Sequence, residues 1–240
     1  MLLCGALLCA DRSPAAPIDL GDLDAGGRTT TPAPSYGVDM PELAAAREAF
    51  RKGRLSDCRE LLEAACEKNR ALPPADLMLS RFFLASQKVD AAKALMEKVA
   101  AKHPGNPEVY LLFGHLALAE KRWTDAQLHF EKSLMLGVPE GWSSEQQRRL
   151  WSEAFAGQSF VAEQREDWAT AQAALSQWMK AEPGNPGLRD RLGVALFMLG
   201  RQQEAFDQFQ TAARQDPRMN PAEVSLAVMH ARKGDFDMAR

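Results

Sequence analysis

The stretch Pro107–Glu140, PEVYLLFGHLALAEKRWTDAQLHFEKSLMLGVPE, decides the fold. It reads as two apolar-striped segments at helical spacing, joined by a short polar turn. A second stretch of the same 34-residue length, Pro186–Met219, reads PGLRDRLGVALFMLGRQQEAFDQFQTAARQDPRM. Both open on Pro. Both carry Gly at the eighth place (Gly114, Gly193), Ala at the twentieth (Ala126, Ala205) and Phe at the twenty-fourth (Phe130, Phe209). Two segments that share small and large residues at the same offsets share a packing problem, so internal repetition is the first hypothesis to extend.

Extended outward, the pattern gives frames starting at residues 39, 73, 107, 152, 186 and 220. The eighth place holds Ala46, Ser80, Gly114, Ser159, Gly193 and Ala227; the twentieth holds Cys58, Ala92, Ala126, Ala171, Ala205 and Ala239. All are small. The seventeenth place holds Leu55, Val89, Trp123, Trp168, Gln202 and Phe236, and the twenty-fourth Leu62, Met96, Phe130, Leu175 and Phe209. Small residues let two helices of a hairpin approach, and the large ones fill the space around that contact. Gly53, Gly200 and Gly234 fall at the expected inter-helix turn, where a residue without Cβ takes positive φ at least cost. Pro104, Pro183 and Pro217 close three frames. One hairpin cannot cover its own apolar face, so neighbours must stack.

The pattern resembles the tetratricopeptide repeat (TPR) family in its bacterial form. That family's signature has a small residue at place eight, Ala at twenty, an aromatic near twenty-four and Pro at thirty-two. The resemblance covers residues 39–240, with a degenerate first copy. It implies an all-α, right-handed superhelical solenoid of stacked antiparallel helix pairs, about five and a half repeats long, with the sixth cut short after Ala239. That abrupt end is expected of a fragment of a longer protein. The chain then divides into an apolar leader (1–10), a Pro/Ala/Thr/Gly-rich flexible linker (11–38) and the repeat array (39–240).

The fourth frame starts eleven residues late, leaving an insertion at 141–151. Eleven residues are about three turns at ~3.6 per turn, so the helix face is kept. Ser144-Glu-Gln-Gln147 reads as a capping box that opens a helix running through to Gln164. The first helix of repeat four is therefore expected to project beyond its neighbours, carrying Trp151, with Trp142 nearby, either packed on repeat three or exposed to a partner. Cys58 and Cys66 lie eight apart on one helix, ~12 Å at ~1.5 Å per residue, too far for a disulfide; they read as small buried hydrophobes.

Charge and composition narrow the function. Lys plus Arg number 29 against 32 Asp plus Glu, so the chain lacks the basic footprint of a nucleic-acid binder. No run of 18 apolar residues encodes a membrane span. The leader MLLCGALLCA resembles the apolar core of an export signal without its basic flank, which leaves export or envelope attachment open beside a cytoplasmic location. No nucleophile elbow, phosphate loop or zinc motif is present, and the His residues (103, 115, 129, 230) have no i,i+4 ligand spacing. We therefore expect no catalytic residue, metal or cofactor.

What remains is the concave face, which the family resemblance assigns to places 2, 5, 9 and 12 of the first helices. Place five gives Leu43, Leu77 and Leu111, and place twelve gives Leu84, Leu118 and Phe197. Place nine gives Arg47, Arg81, His115, Phe160, Val194 and Val228. The expected groove is mostly apolar with a basic N-terminal edge, suited to a peptide or helix with a carboxylate beside it. The family's Lys/Asn clamp for peptide C-termini is unmatched, because Leu43 and Arg47 stand in its places. The expected function is a non-catalytic protein-interaction scaffold. The alternative is the recognition module of a larger enzyme, a transferase or peptidase, with its catalytic domain beyond residue 240.

Overall fold

The computed structural model describes residues 40–238, so the leader, the linker and Ala239 lie outside the described residues. Among these, all regular structure is helical. The helices are α1 (Pro41–Arg51), α2 (Leu55–Lys68), α3 (Ala75–Ala85), α4 (Val89–Lys102), α5 (Pro107–Ala119), α6 (Trp123–Leu136), α7 (Ser144–Gln164), α8 (Trp168–Ala181), α9 (Pro186–Met198), α10 (Gln202–Gln215) and α11 (Ala222–Arg232). Five antiparallel hairpins, α1/α2 through α9/α10, stack in chain order, and α11 adds the first helix of a sixth. The result is a solenoid of stacked helix pairs.

Helix starts are written locally. Pro41, Pro107 and Pro186 sit in the first turn, where a missing N–H costs nothing. Asn106 caps α5 by accepting from the Glu108 N–H, and Asn185 caps α9 through the Gly187 N–H. The capping box of α7 is real but one residue earlier than expected. Ser143 is its N-cap, and it exchanges hydrogen bonds with Gln146.

The small and large places do what packing requires. Ala46, Cys58, Ser80, Ala92, Ala126, Ser159, Ala171 and Ala205 are all fully buried, as are Leu62, Met96, Phe130 and Leu175. The glycines at place eight are close contacts, because a Cβ on Gly114 would lie 2.6 Å from the Phe130 ring and one on Gly193 2.6 Å from Phe209. Gly157, on α7, meets the same Phe130 ring from the next repeat, its Cβ position 2.2 Å away. Phe130 is thus held between two glycines, one from each neighbouring first helix.

Two expectations change. Place seventeen does not fill the core uniformly: Leu55 and Phe236 are exposed, whereas Trp123 and Trp168 are half-buried. The turn, by contrast, is more regular than its glycines suggest. Gly53, Gly200 and Gly234 have φ of 74°, 80° and 79°, and the residues at the same place in the other repeats, Gln87, Lys121 and Glu166, have φ of 59°, 56° and 56°. All six turns use the left-handed conformation whether or not the residue is Gly. Cys58 and Cys66 are both free, and Cys66 Sγ donates to the Pro73 carbonyl at 3.3 Å.

Candidate partner-binding face

The candidate groove residues separate by depth. Leu43, Leu77, Leu84, Leu111, Leu118 and Phe197 are all buried, packed in the successive core clusters rather than lining a surface. Along each first helix they stand close to the stripe that meets the second helix, and the hydrophobic effect draws them in with it. Arg47, Phe160 and Val194 are half-buried. The expected apolar wall is therefore largely interior, and at place nine Arg47, Phe160, Val194 and Val228 reach the surface in part, while Arg81 and His115 are buried.

Place nine of one repeat meets place two of the next. Arg81 Nη2 on α3 lies 3.7 Å from Glu108 Oε1 on α5, and His115 Nε2 on α5 lies 3.8 Å from Glu153 Oε2 on α7. Arg149, one turn before Glu153, joins the two pairs. Its Nη2 donates to Glu108 Oε1 at 2.7 Å, and its Nε stands 3.7 Å from Glu153 Oε1. Arg81, Glu108 and His115 are buried. Buried charge is tolerated when it is paired in this way. Burial alone would push the Glu153 carboxyl up, but His115, Arg81 and Arg149 together outweigh it and hold the carboxyl below its ordinary range. The basic edge expected to receive a partner's carboxylate thus already carries carboxylates of its own at Arg81 and His115.

The insertion supplies this arrangement. α7 is 21 residues long against 11–13 for the other first helices. Its extra turns do not project freely. Gln146 Nε2 donates to the carbonyl of Ala71 in the α2–α3 loop at 3.0 Å, across 75 residues of sequence. Leu150 is buried beside Leu111 and Leu118, and Trp142 packs against the same cluster. Trp151 is half-buried. Besides consecutive helices, α5 and α7 pack on one another.

The C-terminal half of the face differs. Phe160, Val194 and Val228 follow one another at place nine of α7, α9 and α11, each half-buried, and Val224 on α11 is exposed. Beside them Arg191 Nε donates to Glu163 Oε1 at 3.0 Å and its Nη2 to Ser159 Oγ at 2.9 Å. Burial pushes the Glu163 carboxyl up against the pull of Arg191. The Phe197 ring meets His230 edge-on at 4.9 Å, with Lys233 Nζ 4.8 Å from its centroid. No group of three or more His, Cys, Asp or Glu side chains among the described residues is arranged to hold a metal ion, and no helix there is long and apolar enough to cross a membrane.

Sequence reasoning missed Glu108, Arg149 and Glu153. A signal was present for two of them, since Glu stands at place two of frames three and four, each following a basic or imidazole side chain at place nine of the frame before.

Comparison with known proteins agrees with this architecture. Two tetratricopeptide repeat family models match residues 83–135 and 161–220. Among solved structures, YrrB, described as a TPR protein with an unusual peptide-binding site, superposes with a TM-score of 0.58 at 20% identity, over 75% of this chain and 88% of that one. PilF of Pseudomonas aeruginosa superposes with a TM-score of 0.55 at 15% identity, over 82% and 85%. A curated relative, cellulose synthase operon protein C of Pseudomonas fluorescens (strain SBW25), is 26% identical over 198 residues. These are 82% of this chain and 15% of that protein, so the chain spans a small part of the relative's length. With its period, its buried small-residue places and these matches, the chain is a tetratricopeptide repeat protein, built from the helix-pair module of protein-interaction scaffolds.

Proposed function

We propose that the chain is a non-catalytic scaffold that binds a peptide or helix of a protein partner on the concave face of its C-terminal repeats. The observation that carries this reading is the half-exposed apolar line Phe160–Val194–Val228. It continues along α7, α9 and α11, where place nine is apolar, with Phe160 edge-on to Trp123 at 6.2 Å between ring centroids. Arg47 at the N-terminal end is the other half-exposed member of the face. An apolar line of this kind suits an amphipathic helix or the alternate side chains of an extended peptide. The balanced charge argues against nucleic acid as the partner. Attachment to the cell envelope would run through the leader, outside the described residues.

The test is the double variant Val224→Glu, Val228→Glu, which puts charge on the face of α11 at an exposed and a half-buried position. Partners cross-linked to the wild-type chain in its native host should be lost from a variant with an unchanged melting profile. An unaltered set of partners would remove this face from consideration.

The second reading follows from the length of the curated relative. The array would be the recognition part of a longer polypeptide whose remaining segments carry any activity, an enzymatic one included. By this likeness the longer polypeptide would itself be the product of a cellulose synthase operon. The intact mass of the native protein separates the two. A mass near 26.4 kDa favours the self-standing scaffold; a much heavier species favours the longer polypeptide.

A further inference from the structure

Place nine offers a controlled comparison within one molecule. In α1, α7, α9 and α11 its occupant is half-buried, as Arg47, Phe160, Val194 and Val228. In α3 and α5 it is buried, with Arg81 and His115 each 6% exposed. Arg81 faces Glu108 of α5 and His115 faces Glu153, and the first turns of α7 reach over α5 to Ala71 in the loop before α3. The extra turns follow an eleven-residue insertion that leaves the 34-residue period intact on either side. The contacts they make are those a docked helix makes with a groove. Gln146 donates an amide to a loop carbonyl, Arg149 gives a guanidinium to Glu108 and Leu150 enters the cluster of Leu111 and Leu118, while Glu153, at place two of the regular repeat, faces His115.

We propose that the face formed by α5 and the α2–α3 loop is a helix-binding site occupied in cis by the first turns of α7. The helix it fits is amphipathic and presents amide, guanidinium and leucine groups at the spacing of Gln146, Arg149 and Leu150. All three lie on one side of a helix, because their offsets of three and four residues are those of a single face. A partner helix with this spacing competes with the chain's own segment, and the cis segment sets the threshold for its entry. The inference stands on these contacts and is independent of the C-terminal site proposed above.

The test uses a fluorescent synthetic peptide spanning residues 141–151 and three forms of the full chain. These are the wild type, the deletion of residues 141–151, which restores an uninterrupted period, and the point variant Arg149→Ala. Arg149 belongs to the occupant and not to the site, so the point variant loosens the latch while leaving Glu108, Arg81, His115 and the Ala71 carbonyl in place. Fluorescence anisotropy should show saturable binding to both variants. Binding to the wild type should be about 100-fold weaker if the cis segment leaves the site open about one part in a hundred.

A peptide carrying Arg149→Ala should lose most of this binding, because it cannot supply the guanidinium that Glu108 pairs with. If the deletion does not fold, as judged by far-ultraviolet circular dichroism, the point variant decides alone. No peptide uptake by a folded variant would overturn the proposal. Uptake by the wild type as tight as by the variants would overturn it as well.

Discussion

Phe130 gives the sharpest test of how adjacent repeats are joined. Its ring is fully buried, with Gly114 of its own repeat on one side and Gly157 of the next on the other. Replacing Gly157 with Ala would put a Cβ 2.2, 2.4 and 2.6 Å from three ring carbons. Carbon atoms rest at ~3.5–4 Å, so the methyl overlaps the ring by more than ~1 Å. The ring has no solvent-facing space to move into. Overpacking of this kind costs about 1–3 kcal/mol, and Ala returns about 1 kcal/mol of helix propensity over Gly. Because three atoms are struck at once, the upper part of the cost applies and the net loss is about 1–2 kcal/mol. Phe130→Leu alone loses buried surface, about 1–2 kcal/mol. In the double variant the smaller side chain makes room for the methyl. The double should therefore be more stable than the sum of the singles by about 1 kcal/mol, beyond the ~0.3–0.5 kcal/mol scatter of independent sites. Urea unfolding of the four proteins, compared at equal slope, measures this directly. A Gly157→Ala protein as stable as wild type, or additive losses in the double, would refute the clamp.

Three further outcomes follow from the same geometry. Lys121→Gly should stabilise the chain by about 0.5–1 kcal/mol in thermal melts, since it relieves a left-handed residue worth ~1–2 kcal/mol at some cost in unfolded-chain entropy; a lower midpoint would contradict the turn. Ala126→Leu, at a fully buried inter-helix contact, should cost about 1–3 kcal/mol; a melt no lower than wild type would remove that contact from the account. Glu153 has its pKa depressed in the folded chain, so its stabilising contribution is complete above the ordinary carboxylate value of ~4.3 and is lost as pH falls through the folded value. Glu153→Gln should then flatten the acid limb of the stability–pH curve, and an unchanged acid limb would count against the Glu153 pairing.

The period was legible because packing imposes volume limits at fixed places. A Cβ at place eight would lie 2.6 Å from the Phe130 or Phe209 ring, so Gly stands there, and the other repeats hold nothing larger than Ala or Ser at that place; composition records the contact. The turn was half legible. Gly53, Gly200 and Gly234 announced a positive φ, but Gln87, Lys121 and Glu166 adopt it without any compositional mark, because the flanking helices dictate the backbone there. The depth of Leu77 and Leu111 was not legible. A leucine facing a groove and one facing the hairpin core are the same letter, a few tens of degrees apart around the helix. The docking of α7 was least legible of all. Gln146 meets Ala71 across 75 residues, and that meeting depends on how far α7 leans over α5, an angle no local pattern encodes. The place-two glutamates could have been paired with place nine by aligning frames; Arg149, outside every frame, could not.

Stacked repeats that touch only their neighbours behave mechanically like a coil spring, each turn yielding a little under load. The α7 extension alters that by tying the loop before the second repeat to the fourth. The N-terminal half of the array is thereby splinted, while the stretch from α8 onward keeps the compliance of an unbraced coil. Under tension, extension should begin in the C-terminal repeats, and the first large rupture of the N-terminal half should come when the Gln146 and Arg149 tethers part.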